Sequence, residues 1–113
     1  MNNLNEIIDV KKAACRQFDV NELMSLLRAN ITMFWSWGAH AFTADKERTL
    51  FRMKVNGHHH KGHVYIFLSG SDLFDVYLTS VRGTIQKKIE GLYFDQLAEW
   101  IDENVEKIAA YMN

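Results

Sequence analysis

The chain contains no proline and one cysteine, and no apolar run approaches the length of a membrane span. Without proline, a low-complexity linker or an internal repeat, nothing marks a domain boundary, and one domain is expected over 1–113. The lone Cys15 cannot form an internal disulfide, which fits a reducing compartment. No segment reaches the ~20 apolar residues needed to cross a bilayer, so no membrane association is expected. The opening "MNNLNEIIDV" carries Glu6 and Asp9 and lacks the basic start and apolar run of a signal peptide. A cytoplasmic location is therefore expected. Net charge is only -1, so no global field draws the chain towards nucleic acid or membrane. What is abundant is apolar: 48% hydrophobic and 12% aromatic residues, enough for a packed core and against disorder.

The apolar period changes twice. Leu4, Ile7, Ile8, Ala14, Cys15 and Phe18 recur at helical spacing over 4–18, with Lys11, Lys12 and Arg16 left for solvent. Asp19 followed by Glu22 forms a capping-box pattern that opens a second helix, with Val20, Leu23, Met24 and Leu27 on its apolar face. Asn30 is placed to end it in a left-handed conformation. "ITMFWSW" is β-branched and aromatic and reads as a strand, with Gly38 a bulge before "AHAFTA". "LFRMKV" alternates, with Phe51, Met53 and Val55 on one face and Arg52 and Lys54 on the other. "HVYIFL" sets Val64, Ile66 and Leu68 against His63, Tyr65 and Phe67. "SG" at 69–70 and "RG" at 82–83 mark turns that bracket "DLFDVYLT" and lead into "TIQKKI". Four or five strands joined by short connections make an antiparallel meander. Phe94, Leu97, Ala98, Ile101, Val105, Ile108 and Met112 then recur as a helical stripe. The expected fold is α+β: two N-terminal helices, the meander sheet, and one long C-terminal helix packed on its greasy face.

The segments "FWSWGAHAFTA", "GHVYIFLSGSDLFDVY" and "YFDQLAEWIDENVEKI" together resemble a family of small proteins of gut Bacteroidetes and their mobile elements. The resemblance spans about residues 31 to 108 and implies the same α+β order. It brings no activity and assigns no catalytic or binding residue.

Four histidines lie close together: His58, His59 and His60 follow Asn56-Gly57, and His63 opens the next strand. In an extended segment His58 and His60 share a face and could hold zinc or copper, but His63 has the opposite parity. The bracketing glycines favour an exposed hairpin tip, and neither metal nor cofactor is expected. Asp72 and Asp75 lie an odd number of residues apart, which sends them to opposite faces of a strand and argues against a shared catalytic role. Cys15 and His40 are the one thiol–imidazole pairing, and Cys15 sits on the apolar side of its helix. No nucleophile elbow, phosphate loop or dinucleotide fingerprint occurs in the sequence. The expectation is a protein that is not an enzyme.

Charge is uneven. Residues 45–63 carry five basic and two acidic side chains, whereas 91–113 carry one basic and five acidic. Glu99, Asp102, Glu103 and Glu106 would form an acidic outer face on the last helix. Arg52, Lys54, Lys61, Lys87 and Lys88, with Trp35, Trp37 and Tyr65 nearby, could stack on and neutralise single-stranded nucleic acid. Lysines on outer strands more simply deter edge-to-edge aggregation, so nucleic acid is the second reading. The first is a module that binds a protein partner, as a monomer or weak dimer. Its candidate contact residues are Trp35, Trp37, Arg52, Lys54, His58, His59, His60 and Lys61.

Overall fold

The computed structural model describes residues 18–44, 49–57, 59–68, 73–82 and 84–105. Residues 4–17 of the helix expected over 4–18, with Cys15, lie outside them, as do Asp72, the turn at 69–70 and the helical stripe beyond Val105.

Helix α1 spans Val20–Leu27, and Asp19 is its N-cap, accepting hydrogen bonds from the backbone of Asn21 and Glu22. Leu23 and Leu27 are its buried residues. The next segment corrects the sequence reading. Ile31–Ser36, expected as a strand, is a short helix, α2. Asn30 does not end α1 in a left-handed turn; its backbone is extended (φ -110°) and its side chain caps α2 by accepting from the Met33 N–H. A local cap has overridden the β-propensity of Ile, Thr, Phe and Trp, which reflects fit to a half-buried pleated surface more than a backbone preference.

Gly38, at φ 63°, follows the C-cap Trp37 and turns the chain out of α2. It is not a bulge. The irregularity falls just after it, between His40 and Thr43, where Ala41 takes φ 53°.

Five strands follow: β1 (His40–Ala44), β2 (Phe51–Asn56), β3 (Lys61–Leu68), β4 (Phe74–Thr79) and β5 (Ile85–Leu92). They pair antiparallel in sequence order, a pure meander. The turn at 80–84 closes through Ser80 N–H to the Thr84 carbonyl and Thr84 N–H to Ser80 Oγ. Helix α3 (Leu97–Val105) completes the described chain.

Period-2 patterning places Phe51, Met53 and Val55 with Val64, Ile66, Val76 and Leu78 on one face. Leu23, Leu27, Phe34, Trp37, Leu97, Ile101 and Val105 from the three helices close over that face. Burying such a face is what a sheet of this kind requires. The second face holds a smaller buried cluster of Tyr65, Phe67 and Tyr77, with Leu50 and Ile85 half-buried beside it.

Candidate functional site

Helix α2 separates the two tryptophans that an extended chain would have placed side by side. At 3.6 residues per turn, positions 35 and 37 point about 200° apart. Trp37 is fully buried in the core, and its Nε1–H donates to Asp102 Oδ1 at 3.0 Å. It belongs to the scaffold and is withdrawn from the contact surface. Asp102 is likewise withdrawn from the acidic outer face expected on the last helix, of which Glu99 and Glu103 are exposed.

Trp35 points outward and is 71% exposed. Ile31, one turn earlier on the same side of α2, is 44% exposed. Phe34, between them on the inner side, stacks with Phe42 of β1 at 6.0 Å between centroids, and Phe42 in turn stacks with Phe51 at 6.2 Å. Phe42 remains 40% exposed. Exposed apolar side chains thus stand both on the outer side of α2 (Ile31, Trp35) and on β1 (Phe42), and the Asn56 N–H bond to the Trp37 carbonyl (2.9 Å) ties α2 to the far end of β2.

β1 is an edge of the sheet, and all five of its residues are exposed. It carries no Lys, Arg, Asp or Glu. The opposite edge, β5, carries Lys87, Lys88 and Glu90 and two register irregularities against β4. Charge and bulges are the usual protections of a sheet edge. β5 has both, whereas β1 has only the irregularity between His40 and Thr43, after which Thr43 and Ala44 pair in register with Arg52 and Phe51.

The histidine stretch is the tip of the β2–β3 hairpin, as expected, but the tip is not free in solvent. Gly57 N–H bonds to the His60 carbonyl at 3.0 Å, and His59 N–H donates to the Val105 carbonyl at 2.7 Å. A Cβ on Gly57 would collide with the carbonyl oxygen and Cγ1 of Val105. The glycine is needed for close approach to the last turn of α3. His60 is buried, its Nε2 lies 3.3 Å from the His63 carbonyl, and burial lowers its pKa from 6.5. His63 is also lowered, first by burial and then by Arg52, Lys54 and His60, and its Nδ1 is buried without a hydrogen-bond partner. His58 lies outside the described residues, among which no group of three or more His, Cys, Asp or Glu converges. His59 and Lys61 are exposed. Beside the tip is an open polar cleft of about 520 Å3, lined by His59, His60, Gln86, Lys87, Glu103 and Asn104 among others.

The five basic residues divide between the faces. Arg52 and Lys54 are half-buried, opposite Tyr65 and His63 in register, and the Lys88 ammonium lies 5.7 Å over the Tyr77 ring on that same second face. Lys87 points to the helix side and donates to Asn104 Oδ1. Tyr65 and Tyr77, at 3% and 8% exposed, offer no open ring face to a base. Asp75 is buried on β4 and accepts the Gly91 N–H at 3.0 Å; burial raises its carboxyl pKa, against that hydrogen bond and with a smaller push from Glu90.

Of the candidate contact residues, the fold thus exposes Trp35, His59 and Lys61, half-buries Arg52 and Lys54, and buries Trp37 and His60. Phe42 and Ile31 were missed as surface residues. The strand reading of 31–37 hid Ile31, whereas the uncharged run 38–44 was visible and could have pointed to an open edge. Comparison of the chain with protein-family models, curated proteins and solved structures returns no match.

Proposed function

We propose that this chain is a non-enzymatic protein-interaction module of the cytoplasm, acting through the β1 edge and the apolar surface beside it. The observation that carries the reading is the exposure of Trp35, together with that of Ile31 on the same helix and of Phe42 on an edge strand without Lys, Arg, Asp or Glu. Tryptophan is the residue type most enriched among binding hot spots, because it buries a large area at little cost in side-chain entropy. An open strand edge adds backbone donors and acceptors for an extended segment of the partner, while Trp35 supplies a side-chain anchor. The three exposed side chains amount to only a few hundred Å2, which suits a reversible contact and a protein that is a monomer or weak dimer.

The test is differential capture from host extract with parent, Trp35→Glu and Phe42→Lys proteins of equal stability. The reading expects one or a few proteins retained by the parent and lost with either variant. A parent that retains nothing the variants do not would refute it.

The second reading is a nucleic-acid surface on the opposite face, favoured by Arg52, Lys54 and Lys88 lying on that face. It ranks lower because the rings between them are covered. Submicromolar binding of labelled single-stranded DNA in ~150 mM salt, lost on reversing Arg52 and Lys54, would reverse the order.

A further inference from the structure

We propose that the tip of the β2–β3 hairpin is an acid-released latch, docked on the end of α3 while His60 is neutral and released when His60 takes up a proton. The sheet itself stays paired.

Both ends of the latch are fixed. Asn56, the last residue of β2, pairs with Lys61, the first of β3, and its N–H is tied to the Trp37 carbonyl at 2.9 Å. Between these ends, two contacts with α3 both fall on Val105. The His59 N–H donates to its carbonyl at 2.7 Å, and Gly57 packs against its Cγ1 and carbonyl oxygen. One backbone bond and one close approach are a small hold, and segments held so lightly open locally well before the fold does.

His60 makes that hold depend on protons. It is 8% exposed and directly follows His59, and its own carbonyl accepts the Gly57 N–H. An imidazolium buried there loses its hydration, and the ring reaches water only if the tip residues beside it move. The His63 carbonyl, 3.3 Å from Nε2, and the Thr79 backbone favour the charged form. Burial outweighs them and holds the His60 pKa below its ordinary 6.5. In the released tip His60 is an ordinary histidine, so the open form binds the proton more tightly. The ratio of open to docked tips therefore rises as pH falls from 6.5 towards the docked value, by up to about tenfold per unit.

Among the described residues, the charged groups that share this cleft are Lys87 of β5 and Glu103 of α3, opposite in sign. His59 moves with the tip. Arg52 and Lys54 of β2 act on His63, and β4 brings the uncharged Thr79. His63 is a separate case. It lies inside β3, paired with Lys54 and Thr79, so movement of the tip does not hydrate it. A proton on its buried Nδ1 would find no acceptor. Its titration opposes the whole fold, whereas that of His60 opposes only the docking.

Amide exchange on the full chain, read by NMR from about pH 7.5 to about pH 5.5 and corrected for the intrinsic rate, tests the latch. Protection of the His59 amide is expected to fall several-fold over that range, while Val64, Ile66 and Val76 keep theirs. The His60 ring, followed in the same samples, should titrate below 6.5. His60→Gln, which keeps a side-chain donor without the charge, should make His59 protection independent of pH. His63→Gln should leave the dependence in place. Four results would overturn the proposal: His59 protection that ignores pH, that falls in step with Val64 and Ile66, that keeps its pH dependence in His60→Gln, or that loses it in His63→Gln. So would a parent His60 ring that titrates at or above 6.5, a measurement that needs no variant to fold.

Discussion

Replacing Trp37 by phenylalanine removes one N–H from the core and leaves Asp102 facing a ring that cannot donate. Trp37 is fully buried and Asp102 is 9% exposed, with a 3.0 Å bond between them. Losing a hydrogen bond to a charged group costs about 1.5–3 kcal/mol, and the space left by the smaller ring adds about 1 kcal/mol. Since the Asp102 carboxylate keeps a little solvent, the lower half applies, about 2.5–3 kcal/mol in total. For a domain near this size that is a fall in Tm of roughly 8–15 °C. Asp102→Leu in the Trp37→Phe background should then recover part of the loss, because an apolar pair needs no donor. Thermal melts followed by circular dichroism for the two single variants and the double give the coupling energy, expected at about 1–2 kcal/mol. Additivity within about 0.5 kcal/mol, or a Trp37→Phe midpoint within ~2 °C of the parent, would show that the bond does not hold α2 to α3.

Ile101→Asp puts an unpaired carboxylate at a fully buried position on α3; a loss of several kcal/mol is expected, and a midpoint within about two degrees would mean that α3 does not cover the sheet. Gly57→Ala forces a methyl against Val105 and should cost about 1–3 kcal/mol, with faster amide exchange at His59; unchanged exchange would refute the docked hairpin tip. Stability should also fall as the medium is acidified. His60 and His63 have folded-state pKa values below 6.5, so the folded chain binds fewer protons than the unfolded one. Their full contribution is present above that value and is lost as pH drops through the folded values. Asp75 acts in the opposite sense nearer its ordinary 3.8, its burial penalty easing as it protonates. Urea midpoints at about pH 7.5 and about pH 5.5 should differ, with a smaller difference in His60→Gln; a flat profile would sink the assignment.

The fold was legible wherever pattern and position agreed. The alternation of Phe51, Met53 and Val55 and the stripe of Leu97, Ile101 and Val105 each named a buried face, and each is buried. Asp19 announced the start of α1 because a cap is a local interaction. Residues 31–37 misled because their composition favours a strand while the decisive group, Asn30, lies one residue before them. Strand parity puts Trp35 and Trp37 on one face and helical phase puts them on opposite sides, so one wrong period misplaced Trp37. The Trp37–Asp102 bond links positions 65 apart, and no local pattern carries it. The histidine loop was legible as a turn, but its docking was not, since nothing in "NGHHHKGH" names Val105. Of the interaction surface, the lack of charge on β1 was readable; which aromatics stay outside depended on α2.

The meander order has a kinetic consequence. Every strand pairs with its neighbour in sequence, so the sheet assembles through loops that close quickly and at small entropic cost. The helical layer is different, for α3 meets α1 and α2 only after the whole sheet has been threaded between them. The expected transition state is a formed meander with the helical clasp still open. Trp37→Phe would then leave the refolding rate almost unchanged and appear in the unfolding limb of the chevron. The lifetime of the folded state would be set by how often α3 lifts from α1 and α2, and not by the strength of the sheet.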